Sequence, residues 1–354
     1  MRILLISCMR NEGPFLLEWL AHHRAAGVTD FLVFSNDCAD GTDEMLDTLE
    51  AGGVLTHVRN RHAETGRAAQ WQALADAWAH PLRAKADWIM TIDCDEFVNI
   101  RAPHDTLAGL IGAMDGADLI SMPWRLFGNN RRARLRDALT LEQFTRAAPQ
   151  PCPYPFMASS FKTLFSARAP VRKMGVHRPR LEPGAHPDWR DGSNRAVPEA
   201  IRRGQGAPVH YGRPGANSHV QLNHYSLRSA ESYMIKRLRG LPSQMSREIG
   251  LDYWIERNFN MVEDTSIARM VPATRAALND LRARVPAAAR LHDAAVAWHR
   301  ACFARLMQEE DSVRLYGHLL YCNGQSLPAD ADLRDLIRWR HASLTRKPAN
   351  NKDN

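Results

Sequence analysis

The sequence predicts an α/β fold: a mostly parallel sheet with helices on both faces, followed by a C-terminal helical appendage. Three observations predict it. Across the first 125 or so positions, short apolar runs alternate with longer segments of helical periodicity, the pattern of parallel strands joined by right-handed crossovers. Each apolar run stops in a polar, charged loop. Beyond about residue 228, alanine- and arginine-rich helical signals take over.

The elements follow in order. "RILLISC" (2 to 8) reads as a short buried strand. Pro14 sits where a first-turn proline is tolerated, before the helix "FLLEWLAHHRAAG", which Gly27 closes. "DFLVFS" is the second strand. "TDEMLDTLEAGG" is a helix with Thr42 as its cap and Gly52 as its stop, and "VLTHV" is the third strand. A helix from Gly66 ends before Pro81; "DWIMTID", the helix "TLAGLIGAM" and the strand "ADLISMPW" complete the alternation. Proline-, glycine- and histidine-rich stretches then fill the chain to about residue 218. The later "TRAALNDLRARVPAAARLHDAAVAWHRACFARLM" is helical and interrupted at Pro286. The predicted organisation is a domain over 1–240 (halves 1–125 and 126–240), a helical region over 241–345 and a disordered tail over 346–354.

The bulk numbers fit a soluble globular protein: 354 residues, 45% apolar and 24% charged. Six cysteines form no C-x-x-C pair, which predicts thiols in a reducing compartment and hence a cytoplasmic location. The opening "MRILLISCMR" has too short an apolar run for a signal peptide, and Arg10, Asn11 and Glu12 follow it at once. No stretch reaches the roughly 20 apolar residues of a membrane span. Lys and Arg outnumber Asp and Glu by 46 to 39, a net charge of +7. That balance favours phosphate-bearing partners or an anionic surface, with peripheral membrane contact as one form.

The chemistry is expected beyond the carboxyl ends of the strands, where open α/β sheets bind ligands. Those ends are "CMRNE", "FSNDCADGT", "VRNRHAE" and "TIDCDE". Asp93 and Asp95 lie two apart, so an extended chain would point both to one face. Two such carboxylates suit Mg²⁺ or Mn²⁺, with waters and substrate phosphates completing the shell. The competing reading is that these acids cap a helix or pair with arginines.

"CMRNEGPFLLEWLAHHRAAGVTDFLVFSNDCADGTDEML" followed by "DWIMTIDCDEF" resembles the glycosyltransferase family 2 class of GT-A (Rossmann-like) nucleotide-diphospho-sugar transferases, and within it the family 92-like branch. The similarity covers about residues 1 to 240. It implies a metal-dependent, inverting transferase that moves a sugar from a UDP-sugar to a hydroxyl of a polysaccharide, glycolipid or other glycan. Arg10, Asn11, Glu12, Asn36 and Asp37 are then expected near the nucleoside, and Arg67 and Gln70 on the same rim. Asp40 and Gly41 are read as turn chemistry instead.

"LNHYSLRSAESYMIKRLRG" resembles the branch's His-Tyr segment. This implies His224 as a metal ligand beside Asp93 and Asp95, with Lys236 and Arg239 on the leaving diphosphate. Lys162 in "FKTLF" and His177 in "GVHRP" match the branch and are expected on the acceptor side. For the general base that an inverting member needs, Glu142 in "TLEQF" matches an acidic position of the branch. Asp264 in "MVEDTSI" resembles the Glu-Asp pair of family 2, although it follows His224 in the chain.

Rival readings remain. A nucleotidyltransferase would bring a glycine-rich phosphate loop, and "SCMRNEG" is not one. Cys8, Cys38 and Cys94 with His22 or His23 could form a zinc site, against poor spacing. A basic nucleic-acid-binding protein is suggested by "NNRRARLRD", but no recognition motif accompanies it. A sugar-nucleotide binder without turnover is the other alternative.

Overall fold

The computed structural model describes residues 1–114, 116–203, 214–240, 249–324, 327 and 329–346. Of the tail expected over 346–354, Arg346 instead ends the last helix and 347–354 lie outside the described residues, as do residues 241–248 at the start of the helical region.

Nine strands form one sheet. They are β1 (Ile3–Met9), β2 (Asp30–Ser35), β3 (Thr56–Arg59), β4 (Trp88–Thr91), β5 (Glu96–Ile100), β6 (Leu119–Leu126), β7 (Phe161–Ser166), β8 (Trp189–Arg190) and β9 (Val220–His224). The order is β3-β2-β1-β4-β7-β6-β9-β5, with β8 beside β6. The first four strands pair in parallel, as do β6 with β9 and with β8. Strands β5 and β7 run antiparallel to their neighbours. The expected mostly parallel α/β sheet is therefore present.

Helices α1 (Gly13–Ala25), α2 (Thr42–Ala51), α3 (Ala69–Ala79) and α4 (Leu107–Ala113) connect the early strands. The two sheet faces carry separate cores. Leu5, Val33 and Met90 pack with the apolar sides of α1, α2 and α4 on one face. Leu4, Ile6, Leu32 and Ile89 pack with Ala69, Ala73 and Ala77 of α3 on the other. Both faces are apolar, so these strands read as continuous hydrophobic runs, not alternating ones.

Three local expectations need correction. Gly41, at φ 81°, holds the position before α2, and Thr42 is the first helical residue. Its hydroxyl instead donates to Asp40 (2.6 Å) and accepts from the Glu12 amide (2.9 Å), tying the first two strand-end loops together. Helix α3 starts at Ala69 and not at Gly66, which is left-handed at φ 68° and closes a separate turn of His62–Thr65. The acids after Ile92 lead straight into β5, a strand that pairs with β9 and that the alternating pattern did not reveal.

The later helices are α5 (Ala230–Arg239), α6 (Leu251–Ile255), α7 (Val271–Arg284), α8 (Pro286–Leu306), α9 (Glu310–Tyr321) and α10 (Asp330–Arg346). Leu278 and Leu281 of α7, and Ala288 and Ala295 of α8, join the core that α1 and α2 share with the sheet. The approach is close enough that a Cβ at Gly13 would collide with the Cβ of Ala295. Among the described residues no helix is long and apolar enough to cross a membrane.

Two histidines of α1 are fully buried and satisfied. His22 bonds Thr274 Oγ1 (3.0 Å) and the Val98 carbonyl (2.8 Å); His23 bonds the Trp19 carbonyl (2.8 Å) and accepts from the Val98 amide (3.3 Å). Neither ring has a nitrogen left for zinc, which removes the thiolate–histidine reading.

Burial pushes His22 down to about 4, His299 down to about 3, and His23 well below its ordinary value. A neutral buried imidazole stabilises the fold above pH 6.5, and that stability is lost as pH falls toward the folded-state value, at about 1.4 kcal/mol per unit per group. Burial acts oppositely on Glu18 and Glu96, both raised, which favours the fold as pH falls toward the usual carboxylate range. Three histidines outweigh them. Urea midpoints measured from pH 8 to 5 should therefore hold or rise slightly down to about pH 6.5, as Glu96 takes up its proton, and fall steadily below it, where the three histidines dominate; a midpoint that rises between pH 6.5 and 5 would contradict this account.

Candidate active site

The three acids after Ile92 are held by two buried lysines. Lys162 of β7 is fully buried; its Nζ lies 3.0 Å from Asp93 Oδ2 and 3.3 Å from Glu96 Oε2. Asp93 Oδ1 accepts from Gln70 Nε2 of α3 (2.9 Å), and Glu96 Oε2 accepts from the Asp93 amide (2.7 Å). The indole N–H of Trp19 on α1 donates to the carbonyls of both Asp93 and Glu96, at 3.1 Å each. The loop is thus pinned from both faces of the sheet. Burial pushes Glu96 up to about 8, with Lys162 opposing.

Asp95 is the second centre. Its Oδ2 lies 2.6 Å from Lys236 Nζ on α5, and its Oδ1 lies 3.6 Å from His224 Nε2 at the end of β9. Burial would raise the Asp95 carboxyl, but Lys236 and His224 hold it well below the usual range. Burial lowers His224, with Asp95 opposing. The other ring nitrogen of His224, Nδ1, is buried without a hydrogen-bond partner among the described residues.

These groups face a cavity of about 180 Å³ at the carboxyl edge of β1 and β4. Asp93, Asp95 and His224 line it, together with Gln70 and His177. Arg10, Lys236, Arg239 and Arg257 supply positive charge, against Glu12 as a further acid. Glu12 is itself engaged by Arg228 (3.1 Å) and by Arg239. His177 Nδ1 bonds the Phe161 carbonyl (3.2 Å), and its ring lies 5.1 Å from that of Trp124.

Other expected residues are not among those that line this cavity, although Asn36 bonds Cys8 (3.5 Å) and the Asp37 carbonyl accepts from Arg10 (3.1 Å), both of which do. Asn11 and Asp37 adopt left-handed backbone, at φ 54° and 47°, which suits the tight strand-end turns. Asn11 accepts from the Ala39 amide (2.8 Å), Asn36 donates to Asp37 (3.0 Å), and His62 bonds Asp37 (2.9 Å). Arg67 is exposed and does not line the cavity. Lys162 lies under the acids and is not among the lining residues. Glu142 is half-exposed and bonded to Arg275 (2.5 Å). Asp264 accepts from Ser266 and Gln221 and lies 3.3 Å from Arg125; burial would raise it, but Ser266 leads the contacts that lower it. Neither Glu142 nor Asp264 lines the cavity.

Sequence reasoning missed Trp124, Tyr253 and Arg257, which do line it. Arg257 stacks over Tyr253 at 3.5 Å. Trp124 ends the predicted strand "ADLISMPW", a signal that was available; Tyr253 and Arg257 lie near a short helix with no motif. One further cluster, Asp137, His292 and Asp293, sets its ligand atoms within 4.8 Å of one another. It lies outside the cavity and joins α8 to the loop before residue 140 through His292 Nε2 and Asp137 (3.0 Å).

A two-faced α/β sheet with an acidic loop and a cationic helix at its carboxyl edge defines the Rossmann-like class to which the GT-A fold belongs. The profile of glycosyltransferase family 92 matches residues 5–184. The chain belongs to glycosyltransferase family 92. A family 92 protein of Oryza sativa subsp. japonica is 32% identical over 95 residues, 26% of this chain and 15% of that protein. One of Ricinus communis is 29% identical over 92 residues, 26% of this chain and 16% of that protein. The matches thus span under a fifth of those relatives' own length. Among solved structures, S. aureus TarS 1-349 is 11% identical, covers 91% of this chain and 90% of that chain, and has a TM-score of 0.32. Glucosyl-3-phosphoglycerate synthase from Mycobacterium tuberculosis, solved with Mn²⁺, UDP and glucosyl-3-phosphoglycerate, is 17% identical over 47% of this chain and 57% of that chain, with a TM-score of 0.27. Both likenesses are distant.

Proposed function

We propose that this chain transfers a sugar from a nucleoside-diphosphate sugar, a UDP-sugar, to a hydroxyl of a glycan, polysaccharide or glycolipid. One observation carries the reading: a cavity at the sheet's carboxyl edge gathers Asp95 and His224 with Arg10, Lys236, Arg239 and Arg257. An acid–imidazole pair and four cations in one pocket suit a diphosphate and its metal.

The donor set fits Mn²⁺ or Mg²⁺. Asp95 has one oxygen on Lys236, and its other oxygen faces His224 Nε2 across 3.6 Å; an oxygen and a neutral imidazole nitrogen are acceptable ligands. When bound, the ion would stabilise charge on the departing diphosphate. Lys236 and Arg239 would neutralise the same charge from α5, and Arg10 from the end of β1. Asp93, held in place by Lys162 and Gln70, would orient a hydroxyl of the donor. The six cysteines form no disulfide, which fits a reducing compartment and makes the cytoplasm the proposed location.

A second reading, a sugar-nucleotide binder without turnover, is favoured by the absence of Glu142 and Asp264 from the cavity lining. One experiment separates the two. Thermal shifts with UDP should be larger with manganese than without, and UDP should be released from at least one member of a UDP-sugar panel. Metal-dependent binding with no release from any donor supports the binder; no response to any nucleotide removes both.

A further inference from the structure

A second cavity, of about 210 Å³, shares Trp124 with the first. Its walls carry Pro149, Pro151 and Pro153 from the proline-rich segment, with Pro123 preceding Trp124 on β6. Proline rings offer apolar faces and no N–H donor, so this wall suits the C–H face of a sugar better than its hydroxyls. Trp124 adds an aromatic side between this cavity and His224, the two rings lying 4.3 Å apart.

The charge at this cavity is unbalanced. Arg125 lines it and is 7% exposed. Its one carboxylate partner among the described residues is Asp264, at 3.3 Å, and the same Asp264 oxygen lies 3.9 Å from Arg101. Two guanidinium groups thus share one carboxylate. Among the described residues Arg125 Nε and Nη1 make no hydrogen bond, and Gln221, which could have offered an oxygen, uses its Oε1 for Arg101 (2.6 Å) and Asn217 (2.7 Å). A buried cation without its full complement of partners is unfavourable, and an anion in the cavity would correct the deficit.

We infer that this second cavity is the acceptor subsite and that it selects an acceptor sugar bearing a carboxylate or a phosphate, read by Arg125. The inference rests on the transferase reading for its purpose, but the pocket and its charge stand without it. The prolines hold the ring, Arg125 takes the anionic group, and the end of the molecule nearest Trp124 faces the candidate donor cavity.

The test measures binding of glucuronate, glucose 6-phosphate and glucose by isothermal titration, with no nucleotide present. A failed donor reading therefore leaves it readable, and a failed anion site leaves the UDP experiment intact. At least one anionic sugar should bind about tenfold tighter than glucose, as one charge-assisted contact provides; whichever binds tighter identifies carboxylate or phosphate as the source. Arg125→Gln should erase that preference. Because Arg125 is buried and the variant could misfold, Gln150→Trp, at an exposed lining position, should block the cavity and give the same loss. Equal binding of all three sugars, or a preference that survives Gln150→Trp, overturns the inference.

Discussion

Asp95→Ala should abolish the manganese-dependent part of the UDP thermal shift and lower UDP release from a donor by about a hundred- to a thousandfold, the range for losing one electrostatic stabiliser of a developing anion. The geometry makes Asp95 the residue most committed to this role. It is buried, it is held ionised by Lys236 and His224, and both its oxygens point to groups that line the cavity. Removing it frees the Lys236 ammonium, which can still meet a phosphate, so nucleotide binding without metal should persist while the metal increment disappears. Loss of the buried pair will also weaken the fold by about 3–5 kcal/mol, so the shift must be read as a difference between metal and no metal within each variant. Asp95→Asn keeps the shape and provides a check on folding. A full manganese increment in either variant would remove Asp95 from the metal site.

The alternation of strands and helices was legible because these strands are buried on both faces and so read as unbroken apolar runs bounded by polar loops. The acid cluster was legible as an anomaly, but what balances it was not. Lys162 lies 69 positions and Lys236 141 positions from its aspartate partner, and no local pattern encodes a pairing across that distance. Strand β5 was hidden because "EFVNI" begins with an acid whose burial depends on Lys162. The cationic side of the cavity was half visible: Lys236 and Arg239 belong to a motif, whereas Arg257 is positioned by stacking on Tyr253. Glu142 matched an acidic position of the family branch, yet it sits at the surface against Arg275, because sequence order says nothing of which side of a loop faces the cleft.

Glu12→Ala should destabilise the protein by about 3–5 kcal/mol, the range for removing one member of a buried ion network, measured as a lower urea midpoint at pH 7. Glu12 ends the first strand-end loop and is 4% exposed. It is engaged by two buried arginines, Arg228 at 3.1 Å and Arg239. Arg228 also stacks over Phe15 at 3.5 Å and donates to the Cys94 carbonyl at 3.0 Å. That places a single carboxylate between α1, the acidic loop and α5. Without it, the direct contacts left to the two buried guanidinium groups among the described residues are backbone oxygens and the Phe15 ring face, with the Asp95 charge acting on Arg239 from farther off. Pairing the change with Arg228→Met should recover part of the loss, since it removes one of the orphaned charges, and the double-mutant cycle should give a coupling of at least about 1 kcal/mol. A Glu12→Ala midpoint within about 1 kcal/mol of the parent, or a cycle that is strictly additive, would mean the arginines are solvated in solution and that Arg239 is free to act on a ligand without being held by Glu12.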